Sequence, residues 1–510
     1  MITRSQTREL VARRGWPSLP TEIRLMVLNL VASEQHRGWG SLASVCRQWQ
    51  FVLEAANFSK LTLNGSASCL KRFECITGAD DGKRRLIRHI CLEVRLPRYT
   101  SACCSPRRGR PQQLAQIGPT VGKSLRRLFS ILSTWEPTGN GLLLEINAYS
   151  PSDSEHWFKN MYWSSSDYDC GGGSAEPTEV WRAGRRYHDP QHGWTHGQQA
   201  TEPPYGALSK LFRPMDFEFS AELPRVDAVT GLVVRRQLRH SIYPKCLGVL
   251  LGSLRRLESI SYEPWASLYD PAGRYWDKQE FAIALRYHPL PATLDKLTIF
   301  EDDYKFYTRF PRPLYPIHTT LARREKLDVK FASKSRDLQY VSISFIVNAE
   351  VFFRHCQPEW TWPRLQTLAL TSQILQQGER SLIEPLLCQV GVLVRNMPKL
   401  HTLVLWNGGK GHACAFIYRW LERDGASITW RGTWHLALSP DVINSWRPVG
   451  SESPYSRASK LQVKQEQVQG VITSHGDAIH HLDLPCRVVE PASLWQIRRE
   501  AYSLRENSPA

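Results

Sequence analysis

Between Leu19 and Val31 the chain reads LPTEIRLMVLNLV, and its apolar positions recur too densely for an ordinary surface helix. On a helical wheel Ile23, Met26, Val27, Leu28, Leu30 and Val31 cover an arc of roughly 200°, whereas a typical amphipathic stripe is somewhat over about 100° wide. Such a helix is either sunk in a large core or clasped on two sides. After the loop ASEQHRGWG, helical spacing resumes in SLASVCRQWQFVLEA, where Leu42, Val45, Cys46 and Trp49 share one face and Ser41 is expected to cap the helix. Helices totalling about forty-five residues cannot cover this much apolar surface by themselves, so part of it is expected to meet a partner.

Further along, aliphatic residues at positions one, four and six of a short run mark candidate strands. The pattern occurs at Ile87-Ile90-Leu92, Leu257-Ile260-Tyr262, Leu294-Leu297-Ile299, Leu338-Val341-Ile343, Leu365-Leu368-Leu370, Leu400-Leu403-Leu405 and Ile479-Leu482-Leu484. Three copies begin just after Pro291, Pro363 and Pro398, and the segment SQILQQGERSLIEPLLCQVGVLVRNM before the last of these has helical spacing. A helix, a Pro-bearing turn and a short strand, at intervals of very roughly 30 to 45 residues, resemble irregular leucine-rich repeats. A non-repetitive α/β domain with several buried strands would give a similar pattern. The fold class expected is α+β, with an α/β body over residues 61–406.

Residues 150–206 interrupt that body. They hold almost no aliphatic side chains and many Gly, Ser and Asp, the composition of a surface insertion expected to be disordered. His188, His192 and His196 recur there every four residues, but Pro190, Gly193 and Gly197 argue against the helix that would align them for a metal, so no metal site is expected. From residue 407 to 510 a carboxy-terminal α/β domain is expected. HACAFIYRWL and ASITWRGTWHLAL read as strands. SPDVINSW reads as a helix capped by Ser439, and a Ser-, Gln- and Lys-rich link leads to a closing amphipathic helix, PASLWQIRREAYSLRE, with Leu494, Ile497 and Tyr502 on its buried side.

With 510 residues, 42% hydrophobic and 22% charged, the chain has the profile of a globular protein able to build a large core without covalent staples. No run approaches the roughly 18 apolar residues of a membrane span. Twelve cysteines are scattered with no Cys-x-x-Cys pair, which fits a reduced, intracellular setting in cytoplasm or nucleus. The first fifteen residues read as a flexible basic tail without the apolar stretch of a secretion signal. A net charge of +17 implies a positive face that would attract polyanions or acidic proteins.

The residues of the two amino-terminal helices carry a resemblance. SLPTEIRLMVLNLV followed by SLASVCRQW resembles the F-box, the helical module (here 16–60) that docks on the Skp-family adaptor of cullin-RING ubiquitin ligases. The matching elements are Leu19-Pro20, Glu22-Ile23, Val27-Leu28, Val31 and Val45-Cys46-Arg47 with Trp49; a longer connecting loop and Ser41 in place of an acidic residue depart from it. The resemblance implies that Leu19 and Pro20 open the first helix at the adaptor surface. It also implies that Ile23, Val27, Leu28, Val31 and Leu42 supply apolar contact and that Val45, Cys46 and Trp49 serve both the module's core and the interface. WNGGKGHACAFIYRW, SITWRGTWHLAL and ASLWQIRREA are similar to an uncharacterised carboxy-terminal domain of fungal F-box proteins.

Other candidate chemistry changes the picture little. SPRRGRPQQ contains Arg108-Gly109-Arg110-Pro111, similar to the core of an AT-hook, in which arginines line a narrow minor groove. NGGKGHA lacks the glycine spacing and hydroxyl residue of a phosphate-binding loop and reads as a tight turn. No nucleophile elbow, Ser-x-x-Lys or His-Glu-x-x-His array occurs, so neither an enzyme nor a cofactor is expected. The expected function is substrate reception for a cullin-RING ligase, without catalysis and without a membrane or nucleic-acid partner. The rivals are a chromatin-binding protein using Arg108 and Arg110, and an adaptor-bound scaffold acting outside ubiquitination.

Overall fold

The one-four-six triplets assemble into a sheet. A computed structural model describes residues 16–34, 39–78, 81–100, 117–137, 139–156, 188–195, 198–212, 214–217, 219, 222–266, 290–303, 327–421, 425–451 and 461–505. Twelve strands form one sheet: β1 (Lys60–Leu63), β2 (His89–Arg95), β3 (Leu143–Tyr149), β6 (Gly231–Val234), β7 (Ser259–Tyr262), β8 (Lys296–Phe300), β9 (Tyr340–Ser344), β10 (Thr367–Thr371), β11 (Thr402–Gly409), β12 (His412–Leu421), β13 (Gly425–Gly432) and β14 (Gln462–Gln467). The short β4 (Trp194–Thr195) and β5 (Gln198–Gln199) pair apart from it. Strands of the large sheet stand in chain order. Every pair from β1 to β11 is parallel, β11–β12–β13 is antiparallel, and β14 returns parallel to β13.

Six of the seven triplets place their fourth and sixth positions on these strands. Register aligns the fourth positions into one row: Leu61, Ile90, Leu144, Leu232, Ile260, Leu297, Val341, Leu368 and Leu403 are neighbours across the sheet. Because side chains alternate along a strand, this row and the sixth-position row face the same way. Two further copies with the same spacing, Phe58-Leu61-Leu63 and Val229-Leu232-Val234, fall on β1 and β6. On β3 the first position is Gly141, where φ is +67° and a Cβ would stand 2.2 Å from Thr230 Oγ1, so the aliphatic signal is missing there for a steric reason.

The helices are α1 (Thr21–Glu34) and α2 (Arg47–Ser59) at the amino terminus, then α3 (Ala67–Gly78), α4 (Asp81–Leu86), α5 (Ile117–Leu132), α6 (Tyr205–Phe212), α7 (Pro244–Ser253), α8 (Ala349–Arg354), α9 (Arg380–Leu393) and α10 (Pro440–Ser451). Of these α3, α5, α7, α8, α9 and α10 cover that aliphatic face. Leu125, Leu128 and Leu132 of α5, Leu250 of α7 and Leu387 of α9 join the strand rows in one continuous core. On the opposite face α11 (His475–Leu482) and α12 (Pro491–Arg505) form a second, smaller core with Phe300, Ala369, Val404, Trp406 and Ile417.

The carboxy-terminal strands and helices expected from the sequence are present as β12, β13, α10 and α12, with Ser439 Oγ accepting from Val442 N at 3.4 Å. NGGKGHA is a hairpin turn whose Gly411 takes φ +84°. Several expectations need correction. Ile479-Leu482-Leu484 is not a strand: Ser474 Oγ accepts from Asp477 N at 3.1 Å, starting α11, and Asp483 ends it in the left-handed region. The residues expected to be a polar link include β14, an edge strand whose Gln, Lys and Glu side chains keep that edge wet. The boundary expected at 406/407 falls inside β11, and the sheet runs across it. In the segment expected to be disordered, 150–206, the described ends are ordered and carry the buried Ser152, His156, His192 and Trp194. At the amino terminus, Leu42 lies in a 3-10 turn (Trp39–Ser44) and the helix starts only at Arg47, so Ser41 does not cap it and Leu42 does not share a helical face with Trp49. Among the described residues no helix is long and apolar enough to cross a membrane.

Candidate functional site

The apolar girdle of α1 is closed on one side only. Leu28 is fully buried; moving round the wheel from it come Val31 and Val27, half-buried, and then Ile23, Leu30 and Met26, all exposed. Met26 and Leu30 keep 61% and 63% of their surface in water. α2 sits against α1 and the 3-10 turn and continues directly into β1. Trp16 and Trp49 pack with ring centroids 5.3 Å apart, and Arg24 Nη1 donates to Gln48 Oε1 at 3.1 Å, tying the two helices together.

The structure distributes the candidate adaptor residues over that surface. Leu19, Pro20, Ile23, Val45 and Cys46 are exposed, Val27, Val31, Leu42 and Trp49 are half-buried, and Leu28 is core. Leu28 is therefore a residue that holds the module rather than one that offers contact. Four exposed side chains stand outside that set: Met26 and Leu30 of the girdle, Leu25 and Phe51. Leu25 lies on the other flank of α1, and Phe51, on α2, is 76% exposed. The signal for Phe51 was available, since it falls two residues after Trp49 and so on a different helical face from the one assigned to the core. Arg108 and Arg110 lie outside the described residues.

A second concentration of chemistry lies at the carboxyl ends of β6–β8, beneath α11 and α12. Arg236 Nη2 pairs with Glu500 Oε2 at 2.6 Å, and its Nε pairs with Asp302. His475 Nε2 is 3.2 Å from the other oxygen of Asp302. Glu263 accepts from Arg236 N at 3.0 Å, Glu490 N at 2.7 Å and Ser493 Oγ at 2.5 Å. All of these side chains are buried. Burial pushes the Glu263 carboxyl up to about 7, helped by the charge of Glu490, whereas the Arg236 and His475 charges hold Asp302 well below the usual carboxylate range against its burial. With the ring of Trp265 lying over the guanidinium at 4.6 Å, the cluster fastens α12 to the sheet.

One group of His, Cys, Asp or Glu among the described residues is close enough to share a cation: His156, Asp189 and His192. Of the two described histidines among the three that recur every four residues, His192 joins it and His188 does not. His188 is exposed, His196 lies outside the described residues, and residues 190–192 form a 3-10 turn rather than an α-helix.

Residues 289–490 match the model of a family of unknown function, DUF6546. The matched span takes in β8 to α11, including two of the three segments that resemble the carboxy-terminal domain of fungal F-box proteins. ASLWQIRREA lies beyond it. No F-box family model matches the amino-terminal helices. No curated protein matches the chain.

Proposed function

We propose that the chain is a substrate receptor of a Skp-cullin-F-box ubiquitin ligase, holding the Skp-family adaptor through residues 16–60 and a protein target through the rest. The observation that carries this reading is the one-sided burial of α1: Ile23, Met26 and Leu30 on α1, Val45 after the turn and Phe51 on α2 are large, apolar and exposed within a module whose own core is already filled by Leu28 and Leu53. Burying such side chains contributes about 1.5–3 kcal/mol each, enough for a few of them to support a specific complex. The F-box resemblance names the partner.

In this reading the body is an irregular leucine-rich-repeat-like array. Parallel strands in chain order, each with an aliphatic pair at the fourth and sixth positions and a helical face on one side, support it. The opposite face at β8 and β10–β12 is occupied by α11 and α12, so target contact falls outside that area. The mechanism is one of effective concentration: holding the target beside a charged ubiquitin carrier converts a rare encounter into a local one.

Co-purification from cells tests the reading, using the full chain and the variant carrying Ile23→Asp with Val45→Asp. Adaptor and cullin are expected with the first and absent from the second, with the variant as stable as the unaltered chain. Absence of the adaptor from the unaltered chain overturns the proposal. An adaptor recovered without cullin would instead favour a scaffold.

A further inference from the structure

The His156–Asp189–His192 group is assembled by three separate stretches of chain at the carboxyl ends of β2 and β3. Where the chain leaves β2, Tyr99 N donates to Ser152 Oγ at 3.0 Å and the Tyr99 hydroxyl bonds to Asp153. After β3, Ser150 and Asp153 form a capping box that starts a 3-10 turn (Pro151–Glu155) and delivers His156, whose imidazole stacks on the Tyr99 ring with centroids 5.7 Å apart. From the third stretch, Asp189 and Trp194 exchange backbone hydrogen bonds of 2.8 and 3.0 Å around the turn that carries His192. Gly193 closes that turn at φ +84°, with a Cβ there standing 1.9 Å from Thr201 O. One local device thus positions His156, and a second positions Asp189 and His192 together.

Within the group, His192 Nδ1 is 2.7 and 2.8 Å from the two carboxylate oxygens of Asp189, and His156 Nδ1 is 3.8 Å from one of them. The two imidazoles meet edge to face with centroids 4.9 Å apart. All three side chains are at most a tenth exposed, and His156 Nε2 is buried without a hydrogen-bond partner. At 3.8 Å His156 Nδ1 is beyond hydrogen-bond reach of the carboxylate, whose two oxygens are both engaged by His192 Nδ1, so the buried nitrogen left without a partner is His156 Nε2. One donor atom from each residue lies within 4.8 Å of the other two. Ligands at about 2.0–2.2 Å from a common ion stand about 3–4 Å apart, so the widest separation needs to close by about 1–2 Å to hold one.

We propose that His156, Asp189 and His192 bind one divalent transition-metal ion of the zinc class, with a fourth coordination position left to water or a ligand. Two imidazoles and one carboxylate suit zinc, whereas magnesium and calcium take oxygen ligands almost exclusively. The ion neutralises the buried carboxylate and gives the His156 ring a partner. It also ties the turn that follows β3 to the turn that carries His192. The proposal is independent of the adaptor reading.

The full chain, stripped with a chelator and dialysed against zinc, is expected to retain one ion per chain by elemental analysis. His156→Gln, Asp189→Asn and His192→Gln are each expected to weaken that binding at least about tenfold. Because twelve cysteines could bind zinc elsewhere, cobalt substitution distinguishes the site: nitrogen and oxygen ligands give visible bands without the near-ultraviolet thiolate charge-transfer band. Zinc should raise the thermal midpoint of the unaltered chain and leave those of the variants unchanged. Should a variant fail to fold, the cobalt spectrum of the unaltered chain decides. No zinc retained, retention equal in all variants, or a spectrum dominated by thiolate ligation overturns the proposal.

Discussion

Arg236 and Glu500 are 264 residues apart in the chain and in direct contact, Nη2 to Oε2 at 2.6 Å, with both side chains about 1% exposed. Arg236 lies just after β6, and Glu500 lies in the closing helix. Their pairing fixes α12 across the ends of the central strands.

Removing one partner of a buried ion pair strands the other charge. Glu500→Ala leaves Arg236 with Asp302 and also removes the 3.4 Å contact from Arg239. It is expected to cost about 3–5 kcal/mol, measured by chemical denaturation of the full chain. A loss below about 1 kcal/mol would show that α12 is held by its apolar contacts instead.

Stability should also fall as pH rises through neutrality. Glu263 has its folded-state carboxyl raised to about 7 from 4.5, by burial and by the charge of Glu490, so between those values the folded chain binds more protons than the unfolded one. The contribution is fully present below the unfolded value and is lost as pH rises through about 7, on the order of 3 kcal/mol in total. Asp302, held low by Arg236 and His475, acts in the opposite sense and only at more acidic pH. Denaturation midpoints for the unaltered chain and for Glu263→Gln between pH 5 and 8 check this, since the variant should lose the downward slope.

Gly408 marks the closest approach of α11 to the β11–β12 hairpin. A Cβ at that position would lie 2.3 Å from the Ala478 Cβ. Gly408→Ala is therefore expected to destabilise by about 1–3 kcal/mol, because the helix must shift away from a packed face. Thermal unfolding compared with that of Gly411→Ala separates packing from backbone strain, since Gly411 has open space around it and a positive φ.

In the amino-terminal module, Leu28→Ala and Met26→Ala should behave differently although both lie on α1. Leu28 is core, and its truncation is expected to cost about 2–5 kcal/mol and to expose residues 16–59 to limited proteolysis. Met26 is mostly in water, and its loss should stay within about 0.5 kcal/mol. Equal proteolytic sensitivity of the two variants would contradict the one-sided burial of the helix.

The strands were legible where a short-range pattern coincided with a long-range requirement. Leu257-Ile260-Tyr262 and its counterparts could be read because a buried strand needs its fourth and sixth side chains on one face, whatever its neighbours are. Ile479-Leu482-Leu484 has the same spacing and is helical, since a few apolar residues cannot distinguish the two periods and the Ser474 cap decides. At the amino terminus the excess of apolar positions on α1 was visible in the sequence, but which of them are core was not. That choice depends on where α2 lies, and it makes Leu28 structural and Phe51 exposed.

By itself the sequence determined the local terms: helix and strand periods, the hairpin at Lys410-Gly411, and an amino-terminal module with more apolar surface than it can bury. These depend on interactions within a few residues, where covalent geometry restricts the alternatives. Only the tertiary structure decided that nine parallel strands stand in chain order, that Glu500 meets Arg236 beneath the closing helix, and that His156 joins Asp189 and His192 while His188 does not. Such meetings are set by how whole elements pack, and no spacing along the chain encodes the distance between residues that loops of any length can bring together.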